Sequence, residues 1–161
     1  MNGIDYIARI LKQEGVEWMS CFPSNPLISA VARVGIRPIA FRHERGAVMA
    51  ADGYSRISDR QKFGVCAMQA QAGAENAMGG IAQAYADNIP ILVFLGGNNL
   101  DRLSVKPNFT ASQAQLRITG GGLTVGPVVV VPNALAGMAL IGLFKRKDVP
   151  FFAPGRSTWD R

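Results

Sequence analysis

Cysteine and histidine are scarce, with two and one in 161 residues. Two cysteines cannot build a disulfide framework, and Cys21 and Cys66 are not at a metal-ligand spacing. Both lie in apolar, strand-like runs and read as buried free thiols, which fits a reducing, cytoplasmic setting. Charge is sparse at 17%, and no glutamate follows Glu75. The stretch 123–144 carries no charge, but Pro127, Pro132 and Asn133 interrupt it, so no membrane span is expected. Met1 to Asp5 lacks a basic segment followed by an apolar core, so no signal peptide is read. No Gly-x-Gly-x-x-Gly run follows the first strand, which ranks a nucleotide-binding domain low. The net charge is +6, yet the one late cluster, Lys145-Arg146-Lys147, is short and has no interleaved aromatics. That argues against a nucleic-acid partner and for a solvated helix end.

Hydrophobic residues make up 48% of the chain, and its length suits one domain with one core. Ile4, Ile7, Ala8 and Leu11 recur at helical spacing before Gly15, which predicts a helix over 2–14. A strand over 17–22 ends at Pro23-Ser24-Asn25-Pro26, and a helix carrying Leu27, Ile28, Val31 and Ala32 stops at Gly35. Further strands are predicted over 36–41, 62–68, 89–95 and 128–131. Helices are predicted from Glu44, over 74–86 and over 134–144, with 69–73 as a loop. Strands alternating with helices imply right-handed crossovers and a parallel sheet. The fold class is therefore α/β, a three-layer sandwich with a central, mainly parallel sheet flanked by helices. Ligands of such sheets sit at the carboxyl ends of the strands. Three loops gather there: Pro23-Ser24-Asn25, His43-Glu44 and 69–76.

The run from Arg42 to Arg56 (RHERGAVMAADGYSR) is the most informative. Its acid, Glu44, stands where an apolar strand gives way to an alanine-rich helix, so two packed elements can hold it rigidly. Taken alone, Glu44 is equally a helix-start carboxylate. His43 either packs against Glu44 or orients it. Ser24 and Asn25 are turn formers or pocket residues, and Asn76 and Gln83 either hydrogen-bond within a site or brace backbone. Arg42, Arg45 and Arg56 read as a solvated or salt-bridged helix face.

Three segments in order carry a resemblance: 41–56, Gly73-Ala74-Glu75-Asn76-Ala77, and the run from Gln83 to Val93 (QAYADNIPILV). Together they resemble the pyrimidine-binding, amino-terminal domain of thiamine diphosphate enzymes, in the acetolactate synthase and 2-oxoacid decarboxylase group. Phe22-Pro23-Ser24 falls where that family has a Pro-Gly turn. The resemblance covers about 4–97 and implies that Glu44 contacts a ring nitrogen of the cofactor's aminopyrimidine. An acid sharing its proton there lets the ring's amine act as a base toward the thiazolium carbon, which then attacks a 2-oxoacid carbonyl; the cofactor is the electron sink. The implied catalytic residue is Glu44. The implied cofactor contacts are Glu44, Pro23, Gly73 and Asn76, with Ser24, Asn25, His43 and Gln83 bordering the substrate or orienting the site. The implied cofactor is thiamine diphosphate, and no metal ligand is assigned to this chain.

Two departures qualify this. Gln71-Ala72-Gly73 stands where the family has Gly-Pro-Gly, replacing a flexible residue and a stiff one. No Gly-Asp-Gly occurs, so the diphosphate and Mg²⁺ are expected in a half that is absent from this chain. The resemblance therefore implies a homo-oligomer, at least a dimer, or a separate diphosphate-binding subunit, and inactivity of this chain alone. It also implies that a lone protomer leaves Glu44 in water. Residues 1–135 are assigned to the pyrimidine-binding domain and 136–161 to a terminal helix and irregular tail. The alternative is a non-catalytic or regulatory module that retains the fold.

Overall fold

The computed structural model describes residues 2–23, 25–70 and 72–96, together with two backbone segments at 124–125 and 128–132. Four helices, α1 (Gly3–Gln13), α2 (Pro26–Arg33), α3 (Glu44–Ile57) and α4 (Ala72–Ala86), alternate with β1 (Trp18–Cys21), β2 (Arg37–Ala40), β3 (Gly64–Met68) and β4 (Ile91–Leu95). Two further strands follow, β5 (Thr124–Val125) and β6 (Val128–Pro132). The sheet order is β2-β1-β3-β4-β6-β5. The first five of these strands run parallel, and β5 pairs antiparallel with β6. The expected mainly parallel α/β sandwich is therefore present.

Period-two alternation divides β3 and β4 between two cores. Val65, Ala67, Leu92 and Phe94 pack with Ile7, Leu11, Leu27 and Val31 of α1 and α2. Cys66, Met68, Ile91, Val93 and Leu95 pack with Val48, Ala51, Ala77 and Ile81 of α3 and α4. From β1 the chain moves outward to β2 through α2, then back past β1 to β3 through α3. Opposite directions with helices on opposite faces are what one handedness of crossover requires. The direction reverses between β1 and β3, and the crevice beyond their carboxyl ends is the expected ligand position in such a sheet.

Local chemistry sets the helix ends. Asn2 caps α1 by accepting from the Asp5 amide, and Asn25 caps α2 by accepting from the Leu27 amide. Gly15 and Gly35 follow with φ of 80° and 78°, the left-handed stop expected of them. Two buried hydroxyls pin α3 to the sheet. Ser20 Oγ donates to the Ala47 carbonyl at 2.6 Å. Ser55 Oγ donates to the Pro90 carbonyl at 2.6 Å and accepts from the Gly64 amide at 2.7 Å. Gly64 allows this approach, since an added Cβ would stand 2.1 Å from the Ala51 carbonyl oxygen.

Most predicted elements are shortened by a residue or two, as expected of frayed ends. Residues 69–73 are not all loop, because α4 begins at Ala72. Alanine is the strongest helix former and needs no special φ, so it joins the first turn. β5 was not expected from the sequence. The predicted helix over 134–144, the Lys145–Lys147 cluster, Gln71 and Ser24 lie outside the described residues.

Candidate functional site

Glu44 opens α3, and the backbone before it turns sharply off edge strand β2. His43 is the cap residue: its Nδ1 accepts from the Arg45 amide at 3.2 Å, and its ring is exposed. That bond satisfies one of the free amides of the first turn. It fixes the angle at which the next residue leaves the backbone.

The Glu44 side chain turns inward and is only 3% exposed. Its Oε2 accepts a hydrogen bond from Asn76 Nδ2 at 3.1 Å. Its Oε1 lies beside Gly73, where an added Cβ would stand 3.2 Å from that oxygen and 3.0 Å from Gln69 Cβ. Gly73 and Asn76 are three apart on α4 and so share a face. One turn of α4 thus presents a bare backbone and an amide donor to the two oxygens of one carboxyl.

The close approach of α4 to α3 has a compositional cause. The buried side of α4 is Gly73, Ala74, Ala77, Gly80, Ile81 and Ala84. At Gly80 an added Cβ would meet Val48 side-chain carbons at 3.0 Å. At Gly79 the Arg45 side chain lies across the helix, with Nε 3.3 Å from where a Cβ would stand. Small residues let the helix axes come together, so Asn76 reaches an acid on the neighbouring helix.

This geometry overturns the expectation that a lone protomer leaves Glu44 in water. The chain's own α4 covers the acid, since Gly73 has no side chain to hold the helix away.

The other sequence-predicted residues fall elsewhere. Asn25 Nδ2 donates to the carbonyls of Met68 (3.0 Å) and Phe94 (3.5 Å), bracing the carboxyl ends of β3 and β4. Pro23 is exposed and borders an apolar groove with Cys21, Asn25, Pro26, Ile28 and Ala40. Burial pushes the Cys21 thiol above its usual range. Cys21 and Cys66 are both free and buried, as expected. Gln83 is exposed on α4 two turns beyond Asn76, roughly 10 Å along the axis. The structure therefore brings Glu44, Gly73 and Asn76 together and does not bring Gln83 to them.

Arg56 is a salt-bridged residue. Its Nε meets buried Asp52 at 2.7 Å and its Nη2 meets Asp87 at 2.7 Å. These two acids hold the Arg56 guanidinium above its usual pKa, the Asp52 hydrogen bond contributing most. Among the described residues no group of three His, Cys, Asp or Glu side chains is arranged to hold a metal ion. Among them, no helix is long and apolar enough to cross a membrane.

Comparison with known proteins shows the family. Residues 1–121 match the family model "Thiamine pyrophosphate enzyme, N-terminal TPP binding domain". The chain belongs to that family. Its relatives include the acetolactate synthase large subunit of Lactococcus lactis subsp. lactis, 40% identical over 99 residues. That match covers 59% of this chain and 17% of the relative. The acetolactate synthase isozyme 2 large subunit of Escherichia coli is 35% identical over 99 residues, covering 60% of this chain and 18% of the relative. A probable acetolactate synthase large subunit of Methanocaldococcus jannaschii is 36% identical over 99 residues, with coverage of 60% and 16%. The match thus spans less than a fifth of each of these relatives. Helices α3 and α4 lie within the residues that the family model matches.

Proposed function

We propose that this chain is the pyrimidine-binding half of a thiamine diphosphate enzyme acting on 2-oxoacids, by carboligation or decarboxylation. The observation that carries the reading is the buried Glu44 carboxyl, with Oε2 bonded to Asn76 and Oε1 against the bare backbone of Gly73. A desolvated acid at the carboxyl edge of a parallel sheet suits a heteroaromatic ring that must share a proton with it. The residues fit the pyrimidine end of the cofactor: Glu44 would bond the ring nitrogen, and Gly73 would keep side-chain bulk away.

When bound, thiamine diphosphate supplies a carbon nucleophile and an electron sink. The chain's residues do the rest. Glu44 holds and moves a proton at one carboxyl oxygen, and α3 is locked to the sheet by Ser20 and Ser55 so that the acid does not drift. Pro23, Asn25 and His43 border the approach from the strand ends. Mg²⁺ and the diphosphate belong to a separate half, carried by a second copy of a longer chain or by another subunit. Residues 1–135 form the pyrimidine-binding unit in this reading, 136–161 a terminal addition, and the setting is cytoplasmic.

A non-catalytic module is the second reading, favoured by Gln71-Ala72 in place of Gly-Pro. Isothermal titration with thiamine diphosphate and Mg²⁺ separates the two readings, run with and without a diphosphate-holding domain of an acetolactate synthase. Saturable binding that needs both proteins supports the enzyme reading. No added binding over the diphosphate-holding domain alone contradicts it.

A further inference from the structure

We infer that Asn76 is a positioning residue for Glu44: its amide fixes Oε2 as a hydrogen-bond acceptor and leaves Oε1, beside Gly73, as the oxygen that carries a proton. The inference deepens the proposed function and rests on it for its consequence, though not for its geometry. The resemblance implies a cofactor contact for Asn76; in the structure its Nδ2 donates to the acid.

The argument is one of donors and acceptors. The Asn76 –NH₂ group can only donate, and it lies 3.1 Å from Oε2. An oxygen that accepts a hydrogen bond is stabilised as the carbonyl-like or anionic oxygen of the carboxyl group. A proton added to Oε2 weakens that bond, whereas a proton added to Oε1 keeps it. The two oxygens of a carboxyl are equivalent in water, and here a single amide makes them different. Gly73 completes the asymmetry, because any other residue would put a Cβ 3.2 Å from Oε1. The donor and the glycine lie on the same turn of α4, so any shift of the helix moves both together.

Two readouts test this on the full chain and on its assembly. Infrared spectra of chain labelled with ¹³C-carboxyl glutamate isolate the Glu44 band as the one lost in Glu44→Gln. In Asn76→Leu, which keeps the shape and removes the donor without adding charge, and in Asn76→Ala, that band is expected to move, with the thermal melt confirming a folded chain. In an assembly with the diphosphate-holding domain, Mg²⁺ and thiamine diphosphate, exchange of the thiazolium proton is expected to slow by roughly tenfold in Asn76→Leu. A stationary band in a folded variant overturns the inference. So does exchange that Glu44→Gln slows and Asn76→Leu does not. Exchange indifferent to Glu44→Gln removes the proposed function instead, and the band alone then decides the role of Asn76.

Discussion

The two faces of the sheet are built on different principles. The face under α1 and α2 is filled by large aliphatic side chains, among them Ile7, Leu11, Leu27, Val31 and Ile36, and holds by volume. On the other face, under α3 and α4, the helices contribute mostly small residues, Ala47, Ala51, Gly73, Ala74, Ala77, Gly80 and Ala84, against larger ones from the sheet such as Met68, Ile91, Val93 and Leu95. All four buried polar side chains among the described residues lie on it: Ser20, Glu44, Asp52 and Ser55. Alanine and glycine bring the helices close but bury little apolar area each. Hydrogen bonds from Ser20 and Ser55 and the Asp52–Arg56 pair therefore do there what bulk does on the other face. Small residues and polar anchors are what give a buried acid a fixed place, and a face packed with leucine would have had none to offer.

This contrast can be broken from either side. The largest effect is expected from Leu11→Ala on the aliphatic face, a loss of about 2–5 kcal/mol in unfolding free energy from a fully buried position. Denaturant melts measure it, and cofactor affinity under saturating, folded conditions should stay as in the parent chain. Ser55→Ala on the other face is expected to cost about 1–3 kcal/mol, since the Gly64 amide loses its acceptor. The same variant should also weaken thiamine diphosphate binding in titrations, because α3 carries Glu44.

Gly73→Ala separates stability from function most cleanly. The helix gains about 1 kcal/mol of propensity, offset by crowding against Gln69 and Glu44, so the net change is expected within about 1 kcal/mol. Binding in the assembled protein should nonetheless fall, and a variant that melts and binds normally would remove Gly73 from the site.

The smallest effect is electrostatic and lies on the aliphatic face. The Arg33 guanidinium, chiefly by its hydrogen bond, holds the Asp5 carboxyl below the usual carboxylate range. A lowered folded-state value gives stability that is present above the ordinary carboxylate pKa and lost as pH falls through the lowered one. Asp5→Asn should therefore flatten the acid limb of the urea midpoint slightly and leave neutral stability nearly level with its new baseline. The pair is exposed, so salt should erase the difference.

How much of this was legible in the sequence differs between the two faces in the same way. The aliphatic face announces itself, with Ile7, Ala8 and Leu11 at helical spacing and Gly15 as the stop. The small-residue face is harder to read. Ser55 falls in register with Val48 and Ala51 on the buried stripe of α3, and that register was the only signal that its hydroxyl faces inward. Ser20 carries no such signal, since a serine in a four-residue strand reads as solvent-facing. Glu44 stood out because it opens an alanine-rich helix after a strand. Its burial within one protomer did not, because burial depends on how closely α4 crosses α3. That distance is set by Gly73, Ala77 and Gly80 far along the chain, and local patterning does not report it. β5 has two residues, too few for alternation to show.

The central claim is that Glu44 exchanges a proton with a bound heteroaromatic ring. Its most direct test is the rate of thiazolium proton exchange in the assembled, cofactor-loaded protein, comparing the parent with Glu44→Gln. The amide keeps the shape and the Asn76 contact but cannot shuttle a proton, so exchange is expected to slow by about a hundredfold or more with the fold intact. An exchange rate unchanged in a folded, cofactor-bound Glu44→Gln protein would contradict the account.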